Sequence, residues 1–218
     1  MSLKNLIKTS SFFPLLIRAI FPSKIKIKGQ NLIQRGKSII KNCSVEIIGQ
    51  NNTIILDDII IENSTIRIYG NQNIIKIGKD SFIRNAIFHI EDNNGIILLG
   101  SKVCISGKTI LSVIEGTKIN IGDDCLFSTN VMLSSGDSHS VIDIDSGKRI
   151  NPSRDISIGN HVWFGHDTTV LKGVKIFNNT IIGACAVVTK SVDSPNVVVA
   201  GNPAKILKCN VDWKYDRE

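Results

Sequence analysis

ISIGNHVWFGHDTTVLKGVKIFNNTIIGACAVV, residues 156–188, returns to a large apolar residue every six positions: Ile158, Phe164, Val170, Ile176, Ile182 and Val188. Two places before each of these stands a smaller or more polar residue, in the order Ile156, Val162, Thr168, Val174, Thr180, Ala186. Gly159, Gly165 and Gly183 follow the apolar position in three of the units. An α-helix presents one face with a period near 3.6 and a strand with a period of 2, so neither accounts for six. Short strands that turn a corner after each unit do account for it, with three sides closing one coil. The spacing therefore predicts an all-β chain wound as a parallel β-helix.

Outward from this stretch the same signal weakens but persists. IIGQNNTII (47–55), IYGNQNIIKIG (68–78), IEDNNGIILLG (90–100) and IEGTKINIG (114–122) each place a polar or glycine-rich turn between apolar pairs. Their turns centre on Gly49, Gly70, Asp92 and Gly116, 21 to 24 residues apart, so these coils are longer than the clean ones. Local steps of six recur at Leu99, Ile105, Leu111 and at Ile121, Phe127, Leu133. One solenoid is expected over residues 25–207, between an N-terminal segment 1–24 and a short charged tail 208–218 read as helical. The phase fails once. SSGDSHSVIDIDSGKRINPSRDIS (134–157) is polar and contains Pro152, so it is expected as a loop ejected from one side. Such loops tend to carry chemistry.

Composition agrees. The 218 residues are 42% apolar but only 6% aromatic. That bias suits β-branched cores with Asn and Gly corners. The net charge of +7 points to an anionic ligand or surface. No helix-turn-helix, zinc-finger or stacking-aromatic pattern accompanies it, so nucleic acid is not an expected partner. Cys43, Cys104, Cys125, Cys185 and Cys209 are odd in number and widely spaced, which suggests neither a disulfide framework nor a zinc ribbon and leaves a cytoplasmic setting as the expectation. Residues 11–21, SFFPLLIRAIF, are too short to span a bilayer and are broken by Pro14 and Arg18. A short amphipathic helix is expected there, capping the open end of the solenoid or resting residues 1–21 on a membrane surface through Lys4, Lys8 and Arg18.

Four histidines are candidates for chemistry. His89 lies in a strand-like IFHI and reads as structural. His139 stands in the ejected loop beside Asp137, with Asp143 and Asp145 nearby. A neutral imidazole oriented by a carboxylate suits a general base. His161 and His166 are five residues apart on adjacent units, a spacing that offers two imidazoles to one metal ion, although exposed corner positions explain it as well. No Walker loop, GxGxxG or GxSxG elbow is present, which excludes the common nucleotide and hydrolase motifs.

From Ile121 to Lys208 the loop histidine, IGNHVWFG, VLKGV, IIGACAVVTK and AGNPAK occur in that order, and the chain resembles the hexapeptide-repeat acyltransferases, proteins of left-handed parallel β-helix fold. It is most similar to the branch that O-acetylates capsular polysaccharides and polysialic acid. The resemblance implies an acetyl-CoA-dependent O-acetyltransferase working as a homotrimer with sites between subunits, a saccharide acceptor and no metal. His139 would be the general base. Trp163 would lie near the acyl group. Gly183, Ala184 and Ala186 would meet the pantetheine arm, Lys172 and Lys190 the phosphates, and Gly201, Pro203, Ala204 and Lys205 the adenine nucleotide. Ala184-Cys185-Ala186 stands where the family often has a serine, so a hydroxyl contact is missing. The same fold also hosts antibiotic-inactivating acetyltransferases and metal-dependent carbonic anhydrases, and a non-catalytic scaffold remains open.

Overall fold

The structure, a computed structural model, describes residues 24–217. The chain winds as a three-sided prism of stacked strands. The first face has eight strands, from Lys24–Lys28 to Val187–Val188; the second has seven, from Leu32–Gln34 to Lys175–Ile176; the third has nine, from Ile39–Lys41 to Lys205–Cys209. Pairing within the faces is parallel, except that Lys205–Cys209 folds back antiparallel on Val197–Ala200. Coil length follows the two repeats seen in sequence. Ile61, Ile83, Ile105 and Phe127 stand in register at intervals of 22 residues. Phe164 and Ile182 stand in register at 18.

Both sequence columns point inward. Ile158, Phe164, Val170, Ile176, Ile182 and Val188 are buried, and so are Ile156, Val162, Thr168, Val174, Thr180 and Ala186. The two threonines survive burial because each hydroxyl donates to a corner carbonyl, Thr168 to Gly165 at 2.7 Å and Thr180 to Phe177 at 2.8 Å. Among the few aromatics, the buried Phe127 and Phe164 of successive coils stack at 4.5 Å.

The corners explain the Asn and Asp content. Asn42, Asn63, Asn85, Asn130, Asp167 and Cys185 all have positive φ at the corner between third and first faces. Asp58, Asp80, Lys102, Asp124, His161 and Asn179 do so at the corner between second and third. Short polar side chains tolerate this conformation best. At Gly49 the requirement is absolute: φ is +145°, and an added Cβ would lie 1.8 Å from the Gly70 carbonyl oxygen. Asn31, Asn52 and Asn73 form a buried ladder in which each side-chain oxygen accepts the next coil's N–H.

The ejected segment leaves the first face after Val131–Ser134 and rejoins the second at Ile156–Ile158, so Ser134, Ile156 and Ser157, read as loop from sequence, are strand. The helical tail is a correction: residues 211–217 are irregular, fixed by the buried Trp213 rather than by helix hydrogen bonds. The expected N-terminal helix falls on residues outside those described. Among the described residues no helix is long and apolar enough to cross a membrane.

Candidate active site

The ejected loop is a clasped arm. Its tip is a small hairpin with an Ile142–Arg149 bridge, turned at Asp143–Gly147. Its base is tied to the solenoid twice. Arg149 donates to one Glu115 carboxylate oxygen at 2.5 Å, and the Ser153 N–H donates to the other at 3.1 Å. Lys172, whose side chain is 14% exposed, donates to Asp137 and, at 2.9 Å, to the Asn151 carbonyl. Asn151 closes the ring, donating to Asp137 at 2.7 Å and to the His139 carbonyl at 2.8 Å while accepting from the Val141 N–H.

These partners set the charges. The Arg149 guanidinium, with Ser153, holds the Glu115 carboxyl down at about 2. Lys172, then Asn151, lowers that of Asp137. A depressed carboxylate stabilises the fold above its unfolded value and loses that contribution only as pH falls through the folded value. Both ties are therefore intact at neutral pH, and the Glu115 tie persists until about pH 2.

This arrangement changes two sequence readings. Asp137 faces Lys172 and Asn151, not the His139 ring, and Lys172, expected at the donor phosphates, is bonded to Asp137 and the Asn151 carbonyl at the base of the loop. His139 itself is exposed. Among the described residues no carboxylate is hydrogen-bonded to its imidazole; its backbone, not its ring, is what the clasp fixes. Asn151, which closes the clasp, gave no signal in sequence beyond an Asn before Pro152. Lys190 is exposed two residues after the last strand of the first face, one coil above Lys172.

The other predicted residues gather elsewhere. Trp163 projects outward from the third face, 37% exposed, in register with Leu126 and Ile181. At the neighbouring corner Gly165 lies against Ala184, so closely that an added Cβ would sit 2.7 Å from the Ala184 nitrogen. Ala184 is exposed, whereas Ala186 is buried and its carbonyl already accepts from Thr169. The Gly201–Lys205 turn wraps the same corner: Val187 N–H donates to the Gly201 carbonyl and Ala204 N–H to the Val187 carbonyl, each at 2.9 Å. Pro203 and Lys205 are exposed on it.

His161 and His166 do not form a pair. His161 is a corner residue whose Nδ1 bonds Asp124 at 2.7 Å and whose Nε2 lies 3.1 Å from the Trp213 carbonyl. The Trp213 ring stacks on it at 4.1 Å and its indole N–H donates back to the His161 carbonyl. Trp213 also lies 6.2 Å from Trp163, so the tail reaches the candidate site. Its signal in the sequence is a tryptophan in an otherwise polar, charged tail. His166, Asp167 and Cys185 are exposed side chains whose donor atoms lie within 4.8 Å of one another and could meet one ion; Asp167 also accepts from Asn130 in the corner ladder.

Two clusters result. The base of the loop, Lys172 and Lys190 occupy the corner between first and second faces. Trp163, Ala184 and the Gly201–Lys205 turn occupy the third face and its corner with the first. Comparison with known proteins places this arrangement in a family. The model for bacterial transferase hexapeptide (six repeats) matches residues 155–190. The polysialic acid O-acetyltransferase of Neisseria meningitidis is 35% identical over 186 residues, covering 76% of this chain and 86% of that protein. That of Escherichia coli O1:K1 / APEC is 36% identical over 144 residues, 64% of this chain, and the match spans only 44% of that relative's length. The crystal structure of the polySia-specific acetyltransferase NeuO superposes with a TM-score of 0.82 at 30% identity, covering 89% of each chain. The chain belongs to the hexapeptide-repeat acyltransferases.

Proposed function

We propose that this protein is an acetyl-CoA-dependent O-acetyltransferase that acylates a sugar hydroxyl of a bacterial surface polysaccharide or its precursor. The observation that carries this reading is the pairing of an exposed loop histidine, held only through its backbone, with an outward tryptophan beside an open Gly/Ala corner. The two polysialic acid O-acetyltransferases support the acceptor class.

In the proposed reaction His139 removes the acceptor hydroxyl proton as the oxygen attacks the thioester carbonyl. The new C–O bond forms, the carbonyl electrons collect on oxygen, and a backbone N–H or the Trp163 indole N–H stabilises that oxyanion by a few kcal/mol. Collapse breaks the C–S bond, and the imidazolium returns its proton to the CoA thiolate. No acyl-enzyme is needed: Cys185, exposed at its corner, takes no part. The exposed Ala184 accommodates the pantetheine arm, and Lys190 and Lys205, both exposed, meet the phosphates.

The two clusters sit on different sides of the prism, so a complete site takes His139 from one chain and Trp163 from its neighbour. Such a contact joins unlike surfaces and closes a ring, here a homotrimer. Outward apolar rows agree with burial between subunits: Ile60, Phe82, Cys104, Leu126, Trp163, Ile181 and Val198 are in register or in series along the third face. None of the five cysteines forms a disulfide among the described residues, which suits the cytoplasm.

The test is a screen of acetyl-CoA against capsular and O-antigen oligosaccharides, read by thiol release and a mass gain of one acetyl group. Acetylation of at least one glycan is expected. No turnover with any of them, together with no CoA binding, would leave a scaffold as the better reading.

A further inference from the structure

A cleft of about 390 Å³ opens on the first face directly below the loop. That volume lies within the range of about 300–1,000 Å³ common for small-molecule sites. Its floor is a row of outward polar side chains in register across three coils, His89, Ser112 and Ser134. Its upper wall is Gly136, Asp137 and Ser138, which places it immediately beside His139. We propose that this cleft seats the acceptor and that the sugar unit it takes is uncharged and rich in hydroxyls.

Position argues for the acceptor. Trp163, Ala184 and the Gly201–Lys205 turn all belong to coils after the loop, while the cleft belongs to coils before it. Direct transfer needs donor and acceptor to approach the base from different sides, and the loop divides the two. The strands of the floor repeat at about 4.8 Å, a rise that carries a chain of hydroxyl-bonding groups along the axis toward His139.

Charge argues for an uncharged sugar. Four carboxylates border the cleft. Two are balanced, Glu115 by Arg149 and Asp137 by Lys172. The other two have no Lys or Arg partner among the described residues. Asp92 accepts only the Glu115 backbone N–H, at 3.0 Å, and Glu91 has His89 at 3.7 Å as its partner. The chain's net charge of +7 is therefore reversed at this spot. Long-range charge steers a ligand, but the local field decides which unit settles next to the base.

The inference rests on the transferase reading for its use, and its test is a binding measurement that does not need turnover. The full-length protein is titrated with a neutral N-acetylglucosamine tetramer and with an α2,8-linked sialic acid tetramer, by calorimetry or ligand-observed NMR. The neutral tetramer is expected to bind more tightly. Ser112→Trp, which fills the floor, should weaken it at least about tenfold while CoA affinity is unchanged. Glu91→Gln combined with Asp92→Asn should strengthen the sialic acid tetramer by roughly threefold per carboxylate removed, as for like charges about 7 Å apart in water. Tighter binding of the sialic acid tetramer, an insensitivity of both ligands to Ser112→Trp, or binding of neither at millimolar concentration would each overturn the inference. Failure of acetyl transfer with intact cleft binding would instead count against the enzyme reading alone.

Discussion

His139→Ala is expected to lower kcat by at least about 100-fold, the usual reach of general-base catalysis, while CoA affinity stays within about twofold. Two features make this a clean variant. The side chain is exposed, and the hydrogen bond that fixes its position runs from Asn151 to the His139 carbonyl, which alanine keeps. The loop ties from Asp137 to Lys172 and from Glu115 to Arg149 do not involve the imidazole. Thermal stability should therefore stay at the wild-type value, so a lost rate is attributable to chemistry. The measurement is kcat and KM for both substrates, with CoA affinity by calorimetry. Near-normal turnover would remove His139 from the mechanism. A fall in CoA affinity matching the fall in kcat would assign it to donor binding.

Phe164→Ala is expected to cost about 3–5 kcal/mol of stability. Phe164 is fully buried and its ring stacks on Phe127 of the preceding coil at 4.5 Å. Alanine removes both the transferred area and the partner of Phe127, and a solenoid core cannot collapse around the void without breaking register on all three faces. The loss would be a large share of the 5–15 kcal/mol typical of a domain, and the midpoint of thermal unfolding should fall by roughly 6–20 °C. Differential scanning calorimetry checks it. Lys175→Ala, one residue from the buried Ile176 but outward and exposed on the second face, is the control: without a core contact to lose, stability should change little. A small effect at Phe164 would mean that the six-residue column is not the packed core.

Much of this fold was legible because its periods are short and strict. A residue that recurs every six positions in a coil of 18 meets its own kind in the next coil, so Ile158, Phe164 and Val170 announce three faces by themselves. The N-terminal coils of about 22 residues carry corner insertions that blur the same signal, yet Gly49 and Gly70 still mark a corner where backbone meets backbone. The loop was legible as a failure of the period. Its internal wiring was not, because Asp137, Asn151 and Lys172 are brought together by the return of the chain one coil later, and sequence proximity made Asp137 look like the partner of His139. The tail failed for a related reason. The short charged tail reads as a helix from sequence, but Trp213 gains more by burying its ring on His161 than an isolated turn of helix gains from local hydrogen bonds. The separation of His139 from Trp163 on different sides of the prism was not visible in their spacing, since it depends on which side each residue faces; only the family resemblance implied sites between subunits.

Subunit complementation tests the proposed shared site most directly. His139→Ala and Trp163→Ala are each prepared as an inactive protein, then unfolded together in equal amounts and refolded. With His139 and Trp163 drawn from neighbouring chains, random assembly restores an intact pair at about a quarter of all sites, and activity should return to about a quarter of wild type. Refolding either variant alone is the baseline. Recovery no greater than that baseline, in mixed oligomers verified by mass spectrometry, would contradict a site built between subunits.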